Sequence, residues 1–456
     1  MELAGKSVVV VGMARSGVAA SRLLASRGAR VVATDSKDAA ALPEEVLSLQ
    51  QLGVRLALGS HREAPLASAD LVVVSPGVPW ELPELEDARR RGVPVMAELE
   101  FGYRLLSGSV AAVTGTKGKS TTTAALGAML RSAGGDVRVG GNIGEALTGL
   151  VEGSTAETRF VLEASSFQLE GTSSFHPQVA VFLNLSADHL DRHPSFEAYA
   201  QAKARIFANQ DERDFAVVNA DDPQVLALAR QGRARQVGTS GERDPGGPDA
   251  GFFEDGAAVL RLAGTSETLF PLRTVQLPGR HLAADLLAAA VAARLLGASP
   301  AAIARAVASF AGAEHTLEKV AEKGGVVFFN DSKATNVASA RMSLLAMERR
   351  SHVIMGGRYK GGDFAELRDA VSGHAAQVLA IGEAQQRIAD ALSDVVPVVR
   401  CASLAEAVER AFQAARPGEA VLLAPACSSF DMFADYAERG RAFKREVALL
   451  VEKSAG

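Results

Sequence analysis

The sequence predicts an α/β protein of three domains, each on a mainly parallel, doubly wound sheet: a Rossmann-like N-terminal domain, a central phosphate-loop domain and a Rossmann-like C-terminal domain. Three observations predict it. Short apolar runs alternate with helical patterns along the chain, as in βαβ units. Strand, glycine turn and helix follow one another at Gly12 and again at Gly115. A length of 456 residues exceeds one ordinary core.

In the first domain, Ser7–Val11 reads as a strand, Gly17–Arg27 as a helix, and Arg30–Thr34 and Leu71–Val74 as further strands. The glycine of Ser107-Gly108 marks the boundary, giving a domain over 1–107. A second rhythm over 108–312 has strands at Val110–Thr114, Phe160–Glu163, Val179–Leu183 and Phe215–Val218. Gly238–Gly256, rich in Gly, Pro, Asp and Glu, reads as an exposed excursion or hairpin loop. Ala-rich helices follow from His281 to Leu296 and from Ala301 to Phe310. The third domain, 313–456, has strands at Val326–Phe329, His352–Met355, Val378–Ile381 and Val421–Leu423.

Composition narrows the function classes. The chain is 48% hydrophobic and 22% charged, the range of a globular protein, and its net charge of −5 gives no support for nucleic acid as a partner. No leader pattern and no bilayer-length apolar run occur, so a cytoplasmic protein without membrane insertion is expected. The two cysteines, Cys401 and Cys427, lack metal-ligand spacing and read as buried, reduced thiols.

The strongest chemical signal is the run Ala111 to Thr121: a strand, the loop Gly115-Thr116-Lys117-Gly118, then Lys119-Ser120-Thr121 opening a helix to about Arg131. Glycines let backbone N–H groups curl around a phosphate, and the helix N-terminus adds its positive end. Lys119 is placed to reach the β- and γ-phosphates, and the Ser120 hydroxyl to meet Mg2+. Val113 stands where the usual spacing puts the first glycine, so the loop is a shortened variant. ATP is the cofactor this predicts.

The first glycine turn, Gly12 to Gly17, carries Ala14 where a dinucleotide fingerprint wants glycine, and Asp35 where such folds place a ribose-binding acid. Three readings stand: an NAD site, a uridine diphosphate site drawing on Ser16, Asp35, Ser36 and Lys37, and a plain connection. The loop Ser75-Pro76-Gly77 ends another strand at the edge where ligands bind in open sheets.

Taken together, the motifs resemble the muramyl (Mur) ligase family, whose relatives include folylpolyglutamate synthetases. The resemblance spans nearly the whole chain: Gly115 to Ser120, Gly141-Asn142-Ile143-Gly144, Glu163-Ala164-Ser165-Ser166-Phe167-Gln168-Leu169, Asn184 to His189, Lys203 in Ala202 to Ile206, and Asp331-Ser332-Lys333-Ala334-Thr335-Asn336. The last segment is similar to that of the D-glutamate-adding members. What the resemblance implies is an ATP-dependent acid–amino-acid ligase of peptidoglycan precursor synthesis. It would join a UDP-linked muramyl substrate to D-glutamate through an acyl phosphate, as a monomer. A different muramyl or folylpolyglutamate-type ligase, or an NAD-dependent oxidoreductase, is the alternative.

By this resemblance the catalytic set is Lys119, Glu163, His189 and Lys203. Two Mg2+ sites are implied, drawing on Ser120, Glu163, His189 and Lys203, with Lys203 carrying a CO2-derived carbamate. Asp331 and Lys333 would meet the nucleotide. Asn142, Ser165 and Gln168 would meet the muramyl substrate, and Thr335, Lys360, Ser429, Phe430 and Tyr436 the amino acid. The chain departs from the family at Leu282 and Asp285, where two asparagines are usual, and at Thr316, where arginine is.

Overall fold

A computed structural model of the chain describes residues 1–189 and 192–452. Three sheets occur among them. The first is all parallel, in the order β3-β2-β1-β4-β5, from β1 (Ser7–Val11), β2 (Arg30–Asp35), β3 (Arg55–Leu58), β4 (Leu71–Val74) and β5 (Val95–Ala97). The valine run of β1 shows why it is central. Val8 and Val10 pack into one core and Val9 and Val11 into another, so the period-2 alternation serves both faces. Each fully buried valine contributes roughly 1.5–3 kcal/mol over exposure.

The second sheet has nine strands, in the order β14-β13-β12-β11-β10-β9-β6-β8-β7. They are β6 (Ser109–Thr114), β7 (Val137–Gly141), β8 (Arg159–Glu163), β9 (Val179–Phe182), β10 (Phe215–Asn219), β11 (Arg235–Thr239), β12 (Ala250–Glu254), β13 (Ala257–Leu262) and β14 (Thr265–Pro271). β12 to β14 form an antiparallel meander added to a parallel sheet. Its two tight turns, Asp255-Gly256 and Ala263-Gly264, have positive φ at both residues, the geometry that matches strand twist in two-residue hairpins. The segment Gly238–Gly256, expected as an exposed excursion or hairpin loop, thus ends in a hairpin turn and is exposed only in part. Residues 240–249 and the turn Asp255-Gly256 lie outside the strands, while Ala250, Gly251 and Phe252 are buried in β12.

The third sheet runs β15-β16-β20-β17-β18-β19, from β15 (Glu318–Lys323), β16 (Val326–Asn330), β17 (Ser351–Gly356), β18 (Ala375–Ile381), β19 (Val398–Arg400) and β20 (Ala420–Leu423). It is parallel except for β15. The α/β architecture of three mainly parallel sheets is therefore as the sequence predicts. By internal contacts the chain forms two compact units, Met1–Pro271 with Asp285–Ala306, and Leu272–Ala284 with Val307–Gly456. Within the first unit one continuous apolar cluster runs from Val8 and Val73 through Val110 and Phe160 to Val218. No helix among the described residues is long and apolar enough to cross a membrane.

Candidate active site

Strand β6 delivers the phosphate loop to the carboxyl edge of its sheet. Gly115 and Gly118 have φ of 149° and 81°, a conformation that side chains resist. Gly118 caps the helix Lys119–Ala133. Asn184, just beyond β9, holds the loop from outside: its Oδ1 accepts from Lys117 N at 2.8 Å, its Nδ2 donates to Lys117 O at 3.1 Å, and its carbonyl accepts from Thr116 N at 2.9 Å. The Thr116 hydroxyl meets the Tyr199 hydroxyl at 3.1 Å. The Lys119 ammonium donates to Thr116 O at 2.9 Å, folded back over the loop.

Glu163 ends β8, two strands' ends meeting across β6 and β8, and is 1% exposed. Its carboxylate accepts from the Ser120 hydroxyl at 2.7 Å and from Asn142 Nδ2 at 2.7 Å. Three predicted residues from three motifs therefore share one carboxylate. Among the described residues no group of three or more His, Cys, Asp or Glu is arranged to hold a metal. The hydroxyl–carboxylate pair of Ser120 and Glu163 does supply hard oxygen donors of the kind Mg2+ takes, at the foot of the phosphate loop.

Lys203 lies on the helix Phe196–Ala204 and is 2% exposed. Its Nζ donates to Gly115 O at 2.7 Å and sits 4.7 Å from the Tyr199 ring centre. Burial, and then the nearby charge of Lys119, depress its pKa to about 7, with Asp188 and Glu163 pulling the other way. His189 is half exposed, has φ of 53°, and meets the Phe167 ring edge-on at 5.1 Å. His193, buried, stacks on the other part of that cluster against Phe167 at 5.2 Å and bonds the Ser166 hydroxyl at 2.9 Å.

Ser165 and Gln168 are used differently from the expectation of substrate hydrogen bonds. They form the capping box of the helix Ser166–Glu170, with Ser165 N and Oγ donating to Gln168 Oε1 and Gln168 N donating to Ser165 Oγ. Gln168 Nε2 is buried with no hydrogen-bond partner among the described residues.

At the first glycine turn, Asp35 accepts from Met13 N at 2.7 Å and Lys37 N at 2.9 Å, so its carboxylate braces the turn. The Ser75 hydroxyl donates to Gly12 O at 2.7 Å. A Cβ on Gly17 would lie 1.8 Å from Gly12 O, which is why glycine is needed there. Ser16 is buried, Ser36, Lys37 and Gly77 are exposed, and Pro76 is half-buried. Arg15 donates to Asn142 O at 3.2 Å and Arg192 to Gly77 O at 3.1 Å, linking this turn and its neighbour loop to the central site.

In the second unit, Asp331, Lys333 and Thr335 follow β16. Asp331 is buried, accepts from the Ser343 hydroxyl, and is raised to about 6 by burial. Lys333 and Thr335 are half-buried beside it. Ser429 is buried after β20, whereas Phe430 and Tyr436 are exposed. The Lys360 ammonium lies 5.9 Å from the Phe430 ring centre.

Three contributors escape sequence reasoning. Asn184 and Tyr199 shape the phosphate loop, and a strand-end asparagine inside a recognised motif was the available signal for the first. Asp285, one of the departures, is buried against the loop: a Cβ on Gly118 would lie 2.3 Å from its Oδ1, and burial raises its acid to about 7.

Comparison with known proteins agrees along the whole chain. Residues 6–97 match the Mur ligase MurD-like N-terminal domain, 113–293 the Mur ligase middle domain, and 315–427 the Mur ligase glutamate ligase domain. The UDP-N-acetylmuramoylalanine–D-glutamate ligase of Acidobacterium capsulatum is 44% identical over 97% of this chain and 96% of its own. That of Geobacter metallireducens is 44% identical over 99% of both. Among solved structures, the UDP-N-acetylmuramate–alanine ligase of Thermotoga maritima shares the fold, with a TM-score of 0.60 at 20% identity over 98% of this chain and 100% of its own. With three domain matches in chain order and such identity from end to end, the chain belongs to the Mur ligase family.

Proposed function

We propose that the protein forms the amide bond between UDP-N-acetylmuramoyl-L-alanine and D-glutamate, using ATP and passing through an acyl phosphate. The observation that carries this reading is the end-to-end identity with relatives bearing that activity in their names. Family membership sets aside the NAD-dependent alternative, which had only the first glycine turn in its favour.

The reaction moves the γ-phosphoryl group of ATP to the alanyl carboxylate, and the amine of D-glutamate then displaces phosphate. Both steps concentrate negative charge on crowded oxygens. In this reading the loop Gly115-Thr116-Lys117-Gly118 wraps the phosphates, shaped by the Thr116 and Lys117 N–H groups held on Asn184, and Thr121 and the helix start add their positive end. Lys119 stabilises charge on the transferring group. Mg2+, when bound, neutralises the phosphate oxygens, with Ser120 and Glu163 as its holders; the 2.7 Å hydroxyl–carboxylate contact supports that pairing. Asn142 keeps Glu163 in place.

A second Mg2+ site, with His189 and a carbamate on Lys203, is the finer part of the proposal. Carbamate formation needs a neutral amine: the nitrogen bonds to CO2 carbon and releases a proton. The burial of Lys203 and its depressed pKa supply that amine near neutral pH.

The uridine diphosphate portion is assigned to the turn and loops carrying Ser16, Asp35, Ser36, Lys37, Ser75, Pro76 and Gly77. Ser165 and Gln168 keep a place through Gln168 Nε2, which has no partner among the described residues. Asp331 and Lys333 are assigned to the nucleotide. Thr335, Lys360, Ser429, Phe430 and Tyr436 are assigned to D-glutamate. The domains are taken as 1–107, 108–312 and 313–456, in a cytoplasmic monomer. The test supplies ATP, Mg2+, UDP-N-acetylmuramoyl-L-alanine and one amino acid at a time, and measures phosphate. Release with D-glutamate alone is expected; release with another amino acid alone would move the protein to a different ligase specificity.

A further inference from the structure

Arg439, in the first turn of the helix Tyr436–Glu452, is 1% exposed. A buried guanidinium is costly without partners, so its bonds indicate what it is there to hold. Nε donates to the Ser332 hydroxyl at 2.9 Å and one terminal nitrogen to Ser332 O at 2.9 Å. The other donates to Cys427 O at 3.2 Å and, at 3.5 Å, to Gly356 O. The Ser332 hydroxyl in turn donates to Tyr436 O at 2.7 Å.

These acceptors lie at the carboxyl ends of β16, β17 and β20, which are neighbours in the sheet order β16-β20-β17. Each begins a loop assigned above to amino-acid or phosphate binding. Ser332 stands between Asp331 and Lys333, Gly356 precedes Lys360, and Cys427 precedes Ser429 and Phe430. One planar fork thus fixes the starting points of three loops at once. Lysine, with its donors at a single point, cannot span them. Space around the fork is also spoken for: a Cβ on Gly357 would lie 3.2 Å from the guanidinium and 2.2 Å from Ser428 O.

We infer that Arg439 is a positioning residue for the amino-acid pocket, setting the mutual spacing of the loops that carry Thr335, Lys360 and Ser429 without itself touching substrate. The inference rests on the assignment of those loops to D-glutamate. It separates from a purely structural role because three misplaced loops weaken amino-acid binding first, while the phosphate loop and the first glycine turn lie outside this unit.

The experiment measures KM for D-glutamate, ATP and UDP-N-acetylmuramoyl-L-alanine in full-length Arg439→Lys and Ser332→Ala, with thermal melting to confirm folding. Arg439→Lys is expected to raise the D-glutamate KM by about tenfold or more, with the UDP-substrate KM within about twofold. Ser332→Ala, which removes one of the fork's acceptors and the link to Tyr436, is expected to raise the same KM by about threefold. An unchanged D-glutamate KM in folded Arg439→Lys, or a parallel rise of all three constants, overturns the inference. Should Arg439→Lys not fold, Ser332→Ala decides alone: a selective rise upholds the inference and an unchanged or parallel result overturns it. Wild-type protein that gives no turnover with D-glutamate would instead overturn the functional reading.

Discussion

Lys203 and Arg439 are two buried cations, one in each compact unit, and their surroundings differ in an instructive way. Both sit on the buried face of a helix, Lys203 between Tyr199 and Phe207 and Arg439 four residues before Phe443. Among the described residues neither donates to a carboxylate; both donate to main-chain carbonyls. Lys203 has one such acceptor and the charge of Lys119 near it, and its pKa falls to about 7. Arg439 has several acceptors around a delocalised fork, and burial brings it down only to about 10. The lysine is placed to give up its proton near neutral pH, which modification by CO2 requires. The arginine keeps its charge and acts as a brace.

The contrast breaks first at Lys203. Lys203→Ala is expected to lose on the order of 10³ in kcat and to regain part of it with added acetate, whose carboxylate enters the emptied space. Full activity of this variant in CO2-depleted buffer would remove the modified lysine from the account. Lys119→Ala comes next. Loss of one charge-stabilising donor should cost on the order of 10²–10³ in turnover with the fold intact. It should also raise the pKa of Lys203, because the second-largest depressing influence is gone. Near-normal turnover would contradict the phosphate-loop assignment.

A smaller effect concerns stability. The folded pKa of Lys203 lies near 7 and its unfolded value near 10.5, so between these the unfolded chain binds the extra proton. Stability contributed at this site therefore rises with pH across that window and is at its lowest below pH 7. Denaturant unfolding of wild type and Lys203→Met in CO2-depleted buffer should show wild type gaining on the variant, on the order of 1–3 kcal/mol, from pH 7 upward. A constant gap would mean that the lysine is solvated in the folded protein.

The same pair shows what the sequence makes legible. The parallel sheets announce themselves through runs such as Val8–Val11, and the phosphate loop through the order of strand, glycines and helix. Short or edge strands do not: Arg55–Leu58 and Val95–Ala97, of 4 and 3 residues, are too short to show a period, and Arg235–Thr239 alternates polar side chains into the sheet. The hairpins β12–β14 are obscured by the Gly- and Pro-rich segment ahead of them. Lys203 reads locally as a solvated lysine on an amphipathic helix, and only the family motif brings it into the site. Arg439 sits in Glu438-Arg439-Gly440-Arg441, where charge density suggests solvent. Its signal is the stripe of Phe443 and Val447, which extended back by four residues reaches Arg439 and neither Arg441 nor Arg445. Which carbonyls it would meet depends on three strands far away in sequence, and no local pattern encodes that.

The most direct test of the ligase reading follows an oxygen atom. UDP-N-acetylmuramoyl-L-alanine labelled with 18O in its alanyl carboxylate is turned over with ATP, Mg2+ and D-glutamate, and the released phosphate is examined by 31P NMR. Activation through an acyl phosphate predicts that one carboxylate oxygen leaves with each phosphate, so the label appears there. Unlabelled phosphate alongside amide product would contradict it.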